Sequence, residues 1–205
     1  MRSALVLILA TALAPATVLA HDGVTRPTAT DATTRQAAAS PPLPFPIEIT
    51  PRFALIDQTG SAVTQANFAG RPMAIFFSYA NCEAICSVAL PSLAAALDLL
   101  GDEGEAIAPI LITVDPARDT PEAMAINLPQ YHPRLIGLTG SDDALASARA
   151  VFQIEASEVA TTPEGAPIYA HGSFIYLVGR DGRVKSVLPP ILSPERIAEL
   201  MRKYL

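Results

Sequence analysis

The chain has 205 residues, of which 50% are hydrophobic, and it carries 14 Lys and Arg against 20 Asp and Glu, a formal net charge of −6 at pH 7. This length accommodates one compact domain with a substantial core and an additional tail. The acidic balance argues against a nucleic-acid partner, which would need a basic face, and against adsorption to an anionic lipid surface.

Residues 1–20 are arranged like a secretory signal peptide. Arg2 supplies a positive charge, the run from Ala4 to Leu13 is apolar, and Ala20 is a small residue of the kind found at a cleavage site. An uncleaved anchor is the alternative, because the apolar stretch 4–20 is at the lower length limit for a membrane span. We therefore expect an exported protein in a bacterial periplasm, either released or tethered to the inner membrane by this segment.

Residues 21–46 are predicted to form a disordered tether. The segment is rich in Thr, Ala, Ser and Pro and has no hydrophobic period. It therefore cannot bury enough apolar surface to order itself. The folded domain is expected over residues 47–205.

Strand and helix signals alternate after residue 46. Continuous apolar runs at 72–78 and 107–114 indicate buried strands in the middle of a sheet. The predicted strands are 53–56, 72–78, 107–114, 136–138, 173–178 and 184–188. The predicted helices are 84–100, one that opens at 119–122, 141–152 and 193–203. This order predicts an α/β fold with a mixed central sheet flanked by helices.

Local signals mark several ends of these elements. Asp119 or Thr120 is suited to cap the second helix, and Ser141 is suited to cap the third. An Asp-Gly pair at 181–182 predicts a hairpin turn between the last two strands. Pro91 lies within the first predicted helix, where a proline kinks or resets the helix.

The two cysteines, Cys82 and Cys86, lie where the predicted strand 72–78 gives way to the predicted helix 84–100. A helix N-terminus carries a partial positive charge and unpaired amides, which lower the pKa of a thiol. Sulfurs four residues apart on a helical turn lie on one side of it. They can therefore close on a soft cation such as Cu(I) or on each other.

Three interpretations of the cysteine pair are open at this point. A structural disulfide suits an exported protein, but a bridge across four residues closes a very small loop and constrains the unfolded chain little. A redox dithiol is the second, although thioredoxin-type sites use the Cys-x-x-Cys spacing. A metal site is the third. Two sulfurs are too few for structural zinc, whereas two sulfurs and one imidazole suit copper.

Three histidines are candidates for a further ligand. His171 stands just before a predicted strand, followed by Gly172, and can be placed against the sheet edge near the cysteines. His132 follows a predicted helix and is expected at the surface. His21 would become the mature N-terminus if cleavage follows Ala20, which would make it an auxiliary copper chelate with the terminal amine. Spacing alone leaves His171 open as a ligand or a structural residue.

Four ordered segments carry a family resemblance. They are A-I-F-F-S-Y followed by C-E-A-I-C within 74–86, I-T-V-D-P-A-R-D-T-P-E at 112–122, I-G-L-T-G-S at 136–141, and H-G-S-F-I-Y-L-V-G-R-D-G-R-V at 171–184. Over residues 46–205 the chain resembles the Sco/SenC family of copper chaperones, which help assemble the dinuclear copper centre of cytochrome c oxidase. The resemblance implies a thioredoxin-like fold, a periplasmic or membrane-facing location, and copper bound by Cys82, Cys86 and His171.

Three neighbours of these ligands depart from the family pattern. Glu83 and Ser87 stand where the family usually has proline, and Ala170 stands where an Asp usually precedes the histidine. The expected ligand set is thus intact while its supports are altered, which bears on affinity and on the client.

The segment V-D-P-A-R-D at 114–119 has two interpretations. Asp115, Arg118 and Asp119 are charged groups that a catalytic site could use. They are equally suited to fix the loop after the strand as capping and ion-pair residues. We expect the structural role.

The leading functional hypothesis is an exported metallochaperone for Cu(I), with Cu(II) as a further candidate. Its partner would be the copper-site subunit of cytochrome c oxidase or another periplasmic copper protein, with loading controlled by the redox state of the cysteine pair. The alternative is a periplasmic thiol-disulfide oxidoreductase acting on cysteines of a copper-site client, for which Cys82 and Cys86 suffice. A peroxidase is more remote, because Tyr79 stands where a threonine would support the thiolate. A redox or copper sensor is a third class.

Overall fold

The computed structural model describes residues 48–79 and 86–205, which lie within a compact unit spanning Phe45–Leu205. The predicted signal peptide at 1–20 and the predicted tether at 21–46 lie outside the described residues. Across the described ranges, none of the helices is both long enough and apolar enough to traverse a bilayer.

Strands and helices alternate along the described part of the chain. The strands are β1 (Ala54–Asp57), β2 (Ala62–Thr64), β3 (Met73–Ser78), β4 (Ala108–Thr113), β5 (Ile136–Thr139), β6 (Ala156–Thr161), β7 (Pro167–His171), β8 (Ile175–Val178) and β9 (Val184–Leu188). The helices are α1 (Cys86–Leu100), α2 (Pro121–Asn127), α3 (Asp142–Val151) and α4 (Pro194–Arg202), with short 3-10 turns at Gln65–Phe68, Gly101–Ala106 and Leu128–Gln130.

The main sheet is mixed, with the strand order β2-β1-β5-β4-β3-β8-β9 among the described residues. β4 pairs in parallel with both β3 and β5. The other neighbours pair antiparallel: β8 with β3, β1 with β5, and the edge strands β9 and β2 with β8 and β1. Every residue of β3, β4 and β8 is buried, as expected for central strands covered on both faces. α1 packs against α4, α2 against β5 and α3 against β1.

Most elements predicted from the sequence are present, with ends displaced by one or two residues. The apolar runs form β3 and β4, and the hairpin at the predicted Asp-Gly turn is formed by β8 and β9. The predicted caps are also confirmed: Thr120 Oγ1 accepts from the Ala123 amide and Ser141 Oγ accepts from the Ala144 amide, both at 3.3 Å. Pro91 lies inside α1.

The antiparallel pair of β6 and β7 was not predicted from the sequence. This pair forms a separate two-stranded sheet, and β6 is exposed along almost its whole length. A strand without a buried face has no alternating apolar pattern, so periodicity could not identify it. The sequence does contain a turn signal between the two strands, since Gly165 closely follows Pro163. In the structure Gly165 adopts a φ of +87° there.

Candidate metal centre

The buried strand β3 leads directly towards the cysteine pair. Its last residue is Ser78, and Tyr79 follows it. The next segment, 80–85, contains Cys82 and lies outside the described residues. Cys86 is the first residue of α1. Within the described residues α1 therefore begins at Cys86, as the predicted change from strand to helix places it.

His171 is the last residue of β7, and residues 172–174 connect it to β8. Instead of standing in a long loop, it is carried by the strand that the sequence did not predict. The ring is half-buried, with Nδ1 at 3.3 Å from the Gly172 carbonyl oxygen and 3.5 Å from Ser173 Oγ. If Nδ1 carries the proton and donates to the Gly172 carbonyl oxygen, the Nε2 lone pair is the one suited to a metal.

The electrostatic setting of His171 favours the neutral imidazole. Burial lowers the pKa of His171 below its ordinary value of 6.5, and the hydrogen bond with the Gly172 backbone opposes this only in part. Because a metal ligand must be unprotonated, the group needs no proton loss to bind a cation at neutral pH. The chemistry of the residue therefore fits the copper ligand expected from the sequence.

Tyr79 packs against the part of the chain that carries the predicted ligand His171. Its ring centroid lies 6.0 Å from that of His171 and 5.6 Å from that of Tyr169, both in edge-to-face geometry. Tyr79 precedes Cys82 by three residues. The end of β7 is thus packed against the chain that enters the cysteine segment, although β7 and β3 belong to different sheets.

The loop after β4 supplies a polar network beside these rings. Asp115 is buried and forms an ion pair with Arg118, and the Asp115 amide donates to Thr113 Oγ1 at 2.9 Å. Thr113 Oγ1 in turn donates to Asp119 Oδ2 at 2.6 Å. Asp115 and Arg118 thus form the expected ion pair, and Asp119 helps to fix the loop by accepting the Thr113 hydroxyl hydrogen bond.

Arg118 also reaches beyond its own loop. Its Nη2 donates to the Pro167 carbonyl oxygen at 2.8 Å, and its guanidinium carbon lies 5.4 Å from the centroid of the Tyr79 ring. The proximity of Arg118, Tyr79 and Tyr169 to His171 was not predicted from the sequence. No spacing signal connects them, because Arg118 and Pro167 are 49 residues apart in the chain.

Tyr169 remains a phenol in this setting. Burial raises its pKa above the ordinary value of 10.0, and the nearby carboxylates of Asp115 and Glu158 raise it further. An edge-to-face neutral ring therefore packs on Tyr79 across the physiological pH range.

The prediction that His132 lies at the surface is wrong. The residue is 6% exposed; its Nδ1 accepts from the Arg134 amide at 3.1 Å, and its Nε2 lies 3.5 Å from Asp98 Oδ1. The turn at Leu128–Gln130 directs the chain back onto the end of α1 that carries Asp98. Asp98 is twelve residues after Cys86 in α1, which is about 18 Å along a helix axis, so His132 belongs to another part of the fold.

The other sequence-predicted metal residues divide between described and undescribed parts of the chain. His21 and Cys82 lie outside the described residues. Within 48–79 and 86–205, no three His, Cys, Asp or Glu side chains are arranged to hold a metal ion. The predicted ligand set of Cys82, Cys86 and His171 includes a residue of the undescribed segment 80–85, so it stays a prediction.

Comparison with known proteins supplies the family. The SCO1/SenC family profile matches residues 42–205. This chain belongs to the SCO1/SenC family. The expected family resemblance is confirmed, and so is the thioredoxin-like fold, since Sco proteins are among the solved structures that superpose on the chain.

Among SCO1/SenC relatives, the mitochondrial SCO2 homolog of Danio rerio is 34% identical over 155 residues, covering 75% of this chain and 56% of that protein. The chain thus spans little more than half the length of that relative. The structure of Bradyrhizobium japonicum ScoI with copper bound is 35% identical, with a TM-score of 0.70 over 77% of this chain and 99% of that one. Yeast Sco1 with copper bound is 28% identical, with a TM-score of 0.67 over 77% of this chain and 90% of that one.

Proposed function

We propose that this SCO1/SenC protein is an exported metallochaperone that binds one copper ion through Cys82, Cys86 and His171. The observation that carries the proposal is the packing of His171 on Tyr79, three residues before Cys82, while Cys86 begins α1. Two thiolates and an imidazole form a soft ligand set that suits copper. Relatives at 35% and 28% identity have been solved with copper bound.

The cargo is delivered to a copper centre in a second protein. We place the copper-site subunit of cytochrome c oxidase first, as the family implies, and another periplasmic copper protein second. A site with three protein ligands leaves copper open to attack by the ligands of the acceptor. Transfer then proceeds by stepwise ligand exchange.

Redox state controls loading in this proposal. Only the thiolate forms of Cys82 and Cys86 bind the ion. When both thiolates lose one electron each to a periplasmic oxidant, a disulfide forms and copper is released. Titration of the oxidised protein should therefore show no copper binding, and reduction with dithiothreitol should restore one equivalent.

The ligand set is tested by Cu(I) titration of the reduced full chain against a chromophoric competitor. Cys82→Ser, Cys86→Ser and His171→Ala should each weaken binding by more than the roughly ten- to hundredfold typical of changes outside the ligand shell. His132→Asn, which changes a buried histidine elsewhere in the fold, should bind as the wild type does. Unchanged affinity in His171→Ala would show that the ligand set is wrong.

The same variants separate the chaperone from a thiol-disulfide oxidoreductase, which the position of Cys86 at a helix N-terminus also suits. Reduction of a disulfide in a copper-site client requires Cys82 and Cys86 and does not require His171. Client reduction at the wild-type rate by His171→Ala, together with unchanged copper affinity, would favour the oxidoreductase. Loss of copper binding in the same variant favours the chaperone.

A further inference from the structure

We infer that Arg118 is a positioning residue for the imidazole of His171, acting through the Tyr79 ring and the backbone of β7. This inference rests on the proposed copper function, because the ligand that it positions is the one proposed above. One guanidinium group contacts three separate segments of the chain: the loop after β4, the start of β7 and the Tyr79 ring.

The first contact anchors the guanidinium. Asp115 has a side chain that is 1% exposed, and it pairs with Arg118, whose side chain is 26% exposed. Among the described residues, the other carboxylate oxygen of Asp115 is buried without a hydrogen-bond partner. The positive charge of Arg118 therefore compensates the buried negative charge of Asp115. The ion pair in turn holds the guanidinium in place.

The second contact fixes the start of the strand that carries His171. Among the described residues, β6 and β7 form a two-stranded sheet that is separate from the seven-stranded sheet. The hydrogen bond from Arg118 Nη2 to the Pro167 carbonyl oxygen, at 2.8 Å, connects β7 to the loop after β4. Because alternate residues of a strand share a face, Pro167, Tyr169 and His171 lie along the same side of β7.

The third contact fixes the ring on which His171 packs. The guanidinium lies over the Tyr79 ring at 5.4 Å, within the range of a cation–π interaction. The same ring packs edge-to-face on Tyr169 and His171. Tyr79 is 4% exposed, and its backbone continues towards Cys82. Arg118 therefore holds two parts of the chain in a fixed position relative to each other. They are β7, which carries His171, and Tyr79, which leads into the segment with Cys82.

Lysine cannot reproduce this arrangement. A lysine ammonium keeps the positive charge beside Asp115, but it lacks the planar fork that stacks on a ring while donating to two acceptors. Arg118→Lys thus preserves the charge and removes the geometry. Arg71→Lys is the matched control, because Arg71 donates to the carbonyl oxygens of Glu105, Ala106 and Ile107 in another region of the fold.

The decisive experiment compares the wild type, Arg118→Lys and Arg71→Lys as full-length proteins, first without metal. In the apo protein, the imidazole proton resonances of His171 report its position over the Tyr79 and Tyr169 rings, and they are assigned with His171→Ala. Arg118→Lys should shift or broaden these resonances, whereas Arg71→Lys should leave them unchanged. A purely stabilising role for Arg118 would lower the unfolding midpoint without moving them, and that result would overturn the inference.

The copper-loaded proteins provide the second readout. Arg118→Lys should bind Cu(I) about tenfold more weakly, the lower end of the range for residues that orient a metal ligand. Its Cu(II) form should give an altered electron paramagnetic resonance spectrum, and Arg71→Lys should match the wild type in both measurements. If Arg118→Lys has the Cu(I) affinity and the Cu(II) spectrum of the wild type, the positioning role is overturned. If His171→Ala loses copper binding in the same experiment, the proposed function is still supported. Unchanged copper binding in His171→Ala would overturn the proposed function, while the apo resonances would still decide the position of the ring.

Discussion

At the scale of single residues, burial acts on two histidines in different settings. The pKa of His171 is lowered by desolvation, and the ring stands beside the chain that leads to the cysteines. The pKa of His132 is lowered first by desolvation and then by the nearby charge of Arg134, while Asp98 opposes both. Both pKa shifts favour the neutral imidazole, and the shift of His132 contributes to the dependence of folding stability on pH.

His132 predicts a specific loss of stability in mild acid. Because its folded pKa is below the unfolded value of 6.5, the unfolded chain binds more protons between these two values. The contribution of neutral His132 is complete above 6.5 and is lost as the pH falls towards the folded pKa. His132→Asn, whose side-chain oxygen can still accept from the Arg134 amide, should show a smaller loss over this range in urea unfolding experiments.

The two proteins are compared by how steeply the free energy of unfolding changes with pH, and not by its absolute value. His171 has the same sign of pKa shift and is present in both proteins, so its share cancels in the difference. One titrating group changes the free energy of unfolding by at most about 1.4 kcal/mol per pH unit. The range to measure is roughly pH 7.5 to 5, around the ordinary histidine pKa. If the free energies of unfolding of the wild type and His132→Asn change in parallel over this range, the prediction is contradicted.

At the scale of elements, the helices begin where side chains satisfy their first amides. Ser141 caps α3 by accepting from the Ala144 amide, and Asp142 and Asp143 place negative charge in the first turn. Both features act on the partial positive charge of the helix N-terminus. Since α3 follows directly on β5, its start also fixes how the chain leaves the sheet.

Ser141→Ala should lower the free energy of unfolding by about 1 kcal/mol, because the Ala144 amide loses its partner. The matched control is Ser147→Ala in the same helix, where the hydroxyl donates to the Asp143 carbonyl oxygen on an exposed face. That exposed change should lie within about 0.5 kcal/mol of the wild type. Equal losses in the two variants, measured by urea unfolding, would show that the cap has no special role.

At the scale of the whole molecule, three buried rings join parts of the chain that are distant in sequence. Phe77 in β3, Phe152 after α3 and Tyr176 in β8 lie with centroids 5.2, 5.0 and 6.4 Å apart in edge-to-face geometry. The Tyr176 hydroxyl donates to the Phe152 carbonyl oxygen at 3.2 Å. This cluster fixes the chain just before β6, and hence the hairpin that carries His171.

Phe152→Ala should lower the free energy of unfolding by about 3–5 kcal/mol, because Phe152 is 1% exposed and its removal leaves a cavity among the rings. That is a large part of the roughly 5–15 kcal/mol typical of a domain. Ile126→Ala, at a side chain that is 69% exposed, is the control and should change stability by less than about 1 kcal/mol. Unfolding by denaturant measures both, and a small loss in Phe152→Ala would show that the ring cluster does not stabilise the fold.

The sequence by itself determined the features whose signals are local. The apolar runs of β3 and β4, the caps at Thr120 and Ser141 and the turn at 181–182 are written in consecutive residues, because periodicity and capping act over a few positions. The ordered segments also indicated the family, and with it the candidate ligands Cys82, Cys86 and His171.

The tertiary structure alone decided the surroundings of His171 and His132. The packing of Tyr79 on His171 and the bond from Arg118 to the Pro167 backbone join residues 92 and 49 positions apart, and such contacts leave no periodic trace. His132 is buried because a turn returns the chain to α1, which no property of the residues beside it indicates. Contacts between distant segments depend on how the whole chain packs, and only the folded molecule specifies them.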